Sequence, residues 1–163
     1  MKKYLVIGNP IIHSLSPQLH NYWIKGNNIN GAYDKKKMNS DDLKNLIIKI
    51  RNEEITGVNV TVPFKKEIIS HLDELTLDAR ATQSVNTILL ANNRIVGHNT
   101  DIGGFKRAIE DTKYNFVGKK ILILGSGGVV PSIIFALYKM EVSCVTLTNR
   151  TKIKAENLKN FYN

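Results

Sequence analysis

The chain has 163 residues, 42% of them hydrophobic, and a formal net charge of +9. That length and apolar content suit one packed domain, or one domain and part of a second, and exclude wholesale disorder. The single cysteine, Cys144, excludes an internal disulfide and a cysteine-rich metal site, which fits a reducing cytoplasm; His13 and His20 lack metal-ligand company, so no metal is expected.

The first residues, MKKYLVIGNP, carry an apolar run too short for a signal peptide or a membrane span. The run reads as a buried strand, Tyr4 to Gly8, that breaks at Gly8-Asn9-Pro10. A helix follows, with Ser16 as its N-cap, Pro17 in its first turn and an apolar stripe of Leu19, Tyr22 and Trp23. Ser14 and Ser16 have two readings: a turn and a cap, or two hydroxyls that hold a carboxylate beside a helix N-terminus. Ala32 to Met38 reads as an edge strand blunted by Lys35, Lys36 and Lys37. These lysines form the longest basic run, which fits a solvated face rather than a nucleic-acid site. Ser40-Asp41-Asp42 opens a helix to about Arg51, with Leu43, Leu46, Ile47 and Ile50 inward.

Gly57 to Lys66, GVNVTVPFKK, is the densest stretch. Val58, Val60 and Val62 alternate with Asn59 and Thr61, so a strand ends at a proline with two polar side chains on one face. Lys65 stands just past that end, where open α/β sheets gather the groups of a ligand site. Phe64 to Leu72 and Asp78 to Thr82 are expected to be helical. Ser84 to Leu90 reads as an apolar strand interrupted by Asn86, which either fastens a turn or binds a ligand hydroxyl. Asn92-Asn93 turns the chain into a return strand, Arg94 to Gly97. Asp101 then either caps a helix from Ile102 to Asp111 or takes part in chemistry with Lys65, relaying a proton to a substrate oxygen.

Lys113 to Lys119 is polar and irregular, and the domain boundary is placed there. A continuous apolar strand, Lys120 to Leu124, runs into Gly125-Ser126-Gly127-Gly128 and a helix from Val129 to Lys139. Such a turn lets the backbone approach a pyrophosphate while helix N–H groups point at it. A second strand, Ser143 to Leu147, ends at Thr148-Asn149-Arg150-Thr151, and a last helix runs toward Phe161. The second strand ends without the carboxylate that would bind an NAD ribose. Arg150 instead suits a 2′-phosphate, so NADP is expected.

Four separated motifs resemble the shikimate dehydrogenases and their quinate/shikimate relatives. They are NPIIHSLSPQLHN, GVNVTVPFKK, SVNTI followed by GHNTDIGGF, and GSGGVVPSIIFAL with TNRT. The match runs from Val6 to about Leu158, and NVTVPFK with NTD is its specific part. The resemblance implies an α/β fold. An N-terminal substrate domain with a mostly parallel sheet, residues 1–112, precedes the first part of an NADP-binding Rossmann domain, residues 113–163. It implies a cytoplasmic oxidoreductase, monomer or homodimer, that reversibly reduces 3-dehydroshikimate to shikimate in aromatic amino-acid biosynthesis. Its partner is a small-molecule substrate, with neither nucleic acid nor membrane. By motif, Ser14 and Ser16 would hold the substrate carboxylate, and Thr61, Asn86 and Asp101 the ring hydroxyls, with Asn59 nearby. Lys65 would be the acid/base residue. Gly125, Ser126, Gly127, Gly128 and Val129 would hold the pyrophosphate, and Asn149, Arg150 and Thr151 the 2′-phosphate.

Two departures stand out. Gln83-Ser84 occupy positions where small residues such as Gly-Ala are usual. The family's later strands and its returning C-terminal helix have no counterpart in these 163 residues. The chain is therefore expected to be a fragment with impaired turnover; a non-catalytic shikimate-binding module is the alternative.

Overall fold

The structure, a computed structural model, describes residues 1–162. They form two compact units, Met1–Asn99 and Thr100–Asn163. The division falls ahead of the polar segment 113–119, because helix α4 (Asp101–Glu110) packs on helix α5 (Val130–Lys139) of the second unit.

The first unit is built on one six-stranded sheet. In chain order it comprises β1 (Lys2–Gly8), α1 (Ser16–Gly26), β2 (Gly31–Lys37), α2 (Asp42–Arg51), β3 (Gly57–Val60), a 3-10 turn (Glu67–His71), β4 (Glu74–Leu75), α3 (Leu77–Thr82), β5 (Thr87–Ala91) and β6 (Arg94–His98). The strand order is β2-β1-β3-β5-β6-β4. The β1–β2, β1–β3 and β4–β6 pairs are parallel, and β3–β5 and β5–β6 are antiparallel. The hairpin between β5 and β6 turns through Asn92 and Asn93, both at positive φ (50° and 60°), which asparagine tolerates better than most residues.

Alternation along the strands divides the apolar residues between two faces. Ile7, Val58, Val60, Ile88 and Ile95 face α2 and meet its Leu43, Leu46 and Ile50, together with Phe64 and Ile68. Each such side chain contributes about 1.5–3 kcal/mol when fully buried. The opposite face is thinner: Val6, Ile11 and Tyr33 form a small cluster against Tyr4 and Ile24. Helix α1 buries no residue fully, and its stripe of Leu19, Tyr22 and Trp23 lies exposed. Polar bonds tie it to the sheet instead. Asn21 Nδ2 donates to the Tyr33 carbonyl (2.7 Å), and the Tyr33 N–H donates to Asn21 Oδ1 (2.9 Å).

Two local expectations change. Leu15, not Ser16, holds the N-cap position of α1, and Ser16 is already helical; its N–H is met by the Ser14 hydroxyl at 3.3 Å. The stretch from Phe64 to Leu72 is a set of turns ending in the 3-10 turn rather than an α-helix. The chain must leave it extended at Leu72 so that β4 can lie beside Val96 and Gly97 of β6.

In the second unit β7 (Lys120–Leu124) and β8 (Cys144–Thr148) are parallel and joined through α5; α6 (Lys152–Tyr162) follows. Val130, Ala136 and Leu137 are the buried apolar residues of α5. Among the described residues no helix is long and apolar enough to cross a membrane.

Candidate functional site

The parallel strands β1 and β3 deliver their C-terminal ends to one end of the sheet, and main-chain bonds hold the following loops together there. Thr61 N–H donates to the Ile7 carbonyl (2.9 Å), and Asn9 N–H to the Val62 carbonyl (3.0 Å). Gly8 allows this approach: a Cβ there would sit 2.6 Å from Thr61 Cγ2 and 3.0 Å from the Val62 oxygen. The segment entering β5 arrives at the same place. Val85 N–H donates to the Lys65 carbonyl (2.8 Å), and Val60 N–H to the Asn86 carbonyl (2.9 Å). Asn86 N–H in turn donates to the carbonyl of His98, the last residue of β6 (3.0 Å).

Thr61, Lys65 and Asn86 are thereby assembled at one sheet end. Lys65 is half-buried whereas Lys66 is exposed. Asn86 is buried at 8% exposure. Asn99, 1% exposed, donates to Thr82 Oγ1 (3.1 Å) and the Ser84 carbonyl (2.9 Å), fastening the segment just ahead of Asn86. Ser14 lies in the loop that leaves β1. Its oxygen accepts the Ser16 N–H, so its own proton remains a donor.

Asn59 lies beside Asn86. Its carboxamide is engaged within the protein: Tyr33 Oη donates to Oδ1 (2.7 Å), while Nδ2 donates to the Asn86 carbonyl (3.2 Å) and to Thr87 Oγ1 (3.1 Å). Asn59 thus braces Asn86 from behind. A cleft of about 320 Å³ lies on this side, lined among others by Tyr4, His20, Tyr33, Asn59 and Thr87, and none of Ser14, Ser16, Thr61, Lys65 or Asn86 lines it. Sequence reasoning missed Tyr33, Thr87 and Asn99. Thr87 adjoins Asn86 in the SVNTI motif, which is the only local signal; Tyr33 reads as an ordinary strand aromatic.

Asp101 is the first residue of α4. The N-cap position belongs to Thr100 rather than to Asp101. Asp101 belongs to the second unit.

That unit presents its own arrangement where β7 and β8 end side by side. Gly125, at φ +114°, takes a backbone conformation that side chains disfavour, and its N–H donates to the Thr148 carbonyl (2.7 Å). A Cβ built on Gly125, Gly127 or Gly128 would meet no protein atom within 4 Å. The buried Ser126 hydroxyl has no hydrogen-bond partner. Val129 is the N-cap of α5, one residue ahead of the helix that was expected to include it. An open glycine turn, an orphaned hydroxyl and a helix N-terminus fit an anionic phosphate group. At the end of β8, Asn149 Nδ2 donates to the Thr151 carbonyl (2.8 Å), which shapes the turn carrying the exposed Arg150.

A mostly parallel α/β unit with polar groups at its strand ends, followed by a strand–glycine turn–helix–strand unit, defines a small-molecule-binding protein of the dinucleotide-linked class. The model of the shikimate dehydrogenase substrate binding domain matches residues 6–88. The chain belongs to the shikimate dehydrogenase family. Shikimate dehydrogenase (NADP(+)) of Pelagibacter ubique is 55% identical over 161 residues, covering 99% of this chain and 61% of that protein. The crystal structure of shikimate dehydrogenase from Aquifex aeolicus is 38% identical with a TM-score of 0.92, covering 99% of this chain and 60% of that one. Shikimate 5-dehydrogenase from Thermus thermophilus, solved in complex with NADP(H) and shikimate, is 31% identical with a TM-score of 0.88, over 99% of this chain and 61% of that one. The chain thus spans about 60% of the length of these relatives.

Proposed function

We propose that the chain carries the shikimate-binding part of an NADP-dependent shikimate dehydrogenase together with the phosphate-holding start of its NADP domain. Residues 1–112 serve as the substrate domain and 113–163 as the partial cofactor domain. Ser14 and Ser16 hold the substrate carboxylate. Thr61, Asn86 and Asp101 bind ring hydroxyls, and Asn59 holds Asn86 in place. Lys65 gives a proton to the carbonyl oxygen of 3-dehydroshikimate as it becomes an alcohol, and recovers it in the reverse direction. NADPH, when bound, supplies the hydride. The turn from Gly125 to Val129 holds the pyrophosphate, and Asn149, Arg150 and Thr151 the 2′-phosphate.

The observation that carries this reading is the pair of main-chain bonds, Val85 to Lys65 and Val60 to Asn86, that keeps Thr61, Lys65 and Asn86 at one sheet end. Titration of the protein with shikimate by calorimetry, beside nicotinamide absorbance on adding shikimate and NADP, tests it. Shikimate binding is expected to outlast turnover, because Ser14, Ser16, Thr61, Lys65 and Asn86 all lie in the first unit. Absence of shikimate binding defeats the reading; a longer natural form that binds shikimate without reducing NADP marks a shikimate-binding module instead. Arg150→Ala is expected to weaken NADP far more than NAD, measured as the two dissociation constants, and equal weakening removes Arg150 from the 2′-phosphate.

A further inference from the structure

A carboxamide offers a donor at one end and an acceptor at the other, so the orientation of Asn86 decides which ligand atom it can meet. That orientation follows from a chain of hydrogen bonds anchored on the main chain. The Asn86 carbonyl can only accept. The end of the Asn59 amide that lies 3.2 Å from it is therefore Nδ2. Oδ1 is then the end that faces Tyr33 Oη at 2.7 Å, and the phenol must donate. Asn59 Nδ2 also donates to Thr87 Oγ1 at 3.1 Å, which commits the threonine proton elsewhere. That proton goes to Asn86 Oδ1 at 3.0 Å. The Asn59 links admit one polarity only, and at the last link Thr87 Oγ1 is the donor and Asn86 Oδ1 the acceptor.

The head of the chain is itself firmly held. Tyr33 is 5% exposed. Asn21 clamps its backbone N–H and carbonyl, and its ring stacks on His20 at a centroid distance of 4.2 Å and an interplanar angle of 6°. Burial pushes the phenol up to about 12, so it keeps its donor proton across the neutral range.

We propose that Tyr33, Asn59 and Thr87 are positioning residues that lock the Asn86 carboxamide with Oδ1 toward Thr87, and that this lock sets how Asn86 meets the ligand. The identity of that ligand rests on the shikimate reading above; the lock itself does not.

Two readouts separate the two. The Asn86 side-chain NH2 signal in a ¹H–¹⁵N spectrum of the ligand-free protein reports the lock, and the shikimate dissociation constant reports its consequence. Tyr33→Phe keeps the stacked ring and removes only the donor. Thr87→Val keeps the shape and breaks the last link, while Thr87→Ser restores it. Tyr33→Phe and Thr87→Val are expected to move the Asn86 signal and to weaken shikimate about five- to tenfold, the scale of one lost hydrogen bond. Thr87→Ser is expected to return both toward the parent, with melting curves showing all variants folded. An Asn86 signal unmoved in Tyr33→Phe and Thr87→Val overturns the lock, whatever happens to binding. A parent protein that fails to bind shikimate overturns the ligand reading, while the Asn86 signal still decides the lock.

Discussion

On the reading proposed above, Lys65 and Ser84 divide between chemistry and stability. The Lys65 carbonyl accepts the Val85 N–H, a main-chain bond that does not depend on its side chain. Lys65→Ala is accordingly expected to lower kcat by roughly 10²–10⁴-fold, the range of a lost general acid/base, in a form of the enzyme that turns over. Shikimate affinity should fall much less, and an equal loss in kcat and affinity would assign Lys65 to binding. Ser84 is the opposite case. It is 2% exposed, and its hydroxyl has no hydrogen-bond partner. Removing a buried, unsatisfied hydroxyl relieves its desolvation cost. Ser84→Ala is therefore expected to raise stability by about 1–2 kcal/mol in urea unfolding, and destabilisation would mean that the oxygen is satisfied in solution. The neighbouring Gln83 sits at φ +47°, where a glycine is easier to place. Both departures from the family pattern are thus local strains beside Asn86, not changes to its chemistry.

At the scale of elements, the short strand β4 is secured by charge as well as by pairing. Asp73, just ahead of it, accepts the Ile95 N–H (2.7 Å) and both contacts from Arg51 Nη2 at the end of α2 (2.8 and 2.9 Å). The Ile95 N–H first, and then the Arg51 guanidinium, hold its carboxyl below the ordinary value of 3.8. The folded state therefore prefers the ionised form. The resulting stability is fully present above the unfolded value and is lost as pH falls through the lower folded value. Melting temperature measured from about pH 5 to pH 2 is expected to fall less steeply in Asp73→Asn than in the parent; parallel curves would remove Asp73 from the acid response. Elements with their own signals were legible in the sequence. The inward stripe of α2 and the Asn-Asn hairpin needed only periodicity and turn chemistry. β4 and the 3-10 turn were not legible, because β4 is two residues long and exists only through pairing with β6. The exposed face of α1 was also hidden, since helical spacing fixes where a stripe lies on the helix and not what covers it.

At the scale of the whole molecule, the candidate site was legible as a list of residue types but not as an assembly. Ser14, Thr61, Lys65 and Asn86 declare themselves by motif. What holds Asn86, namely Tyr33 from another strand and Thr87 across a shared amide, depends on strand order that no local pattern encodes. The second unit was legible because glycine freedom and helix polarity act within a few residues. The place of β2 carries one more consequence. It is the outermost strand on its flank, paired within the sheet with β1, and edge strands open before central ones. Tyr33 lies on it, so the proposed contact at the ligand is braced from an edge of the sheet. Coupling of this kind is reciprocal: whatever the seated strand does for the ligand, the ligand does for the strand. Saturating shikimate is therefore expected to slow amide hydrogen exchange in Gly31–Lys37, a segment that contains none of the residues assigned to touch it. Unchanged exchange there would show the margin to be energetically separate from the site.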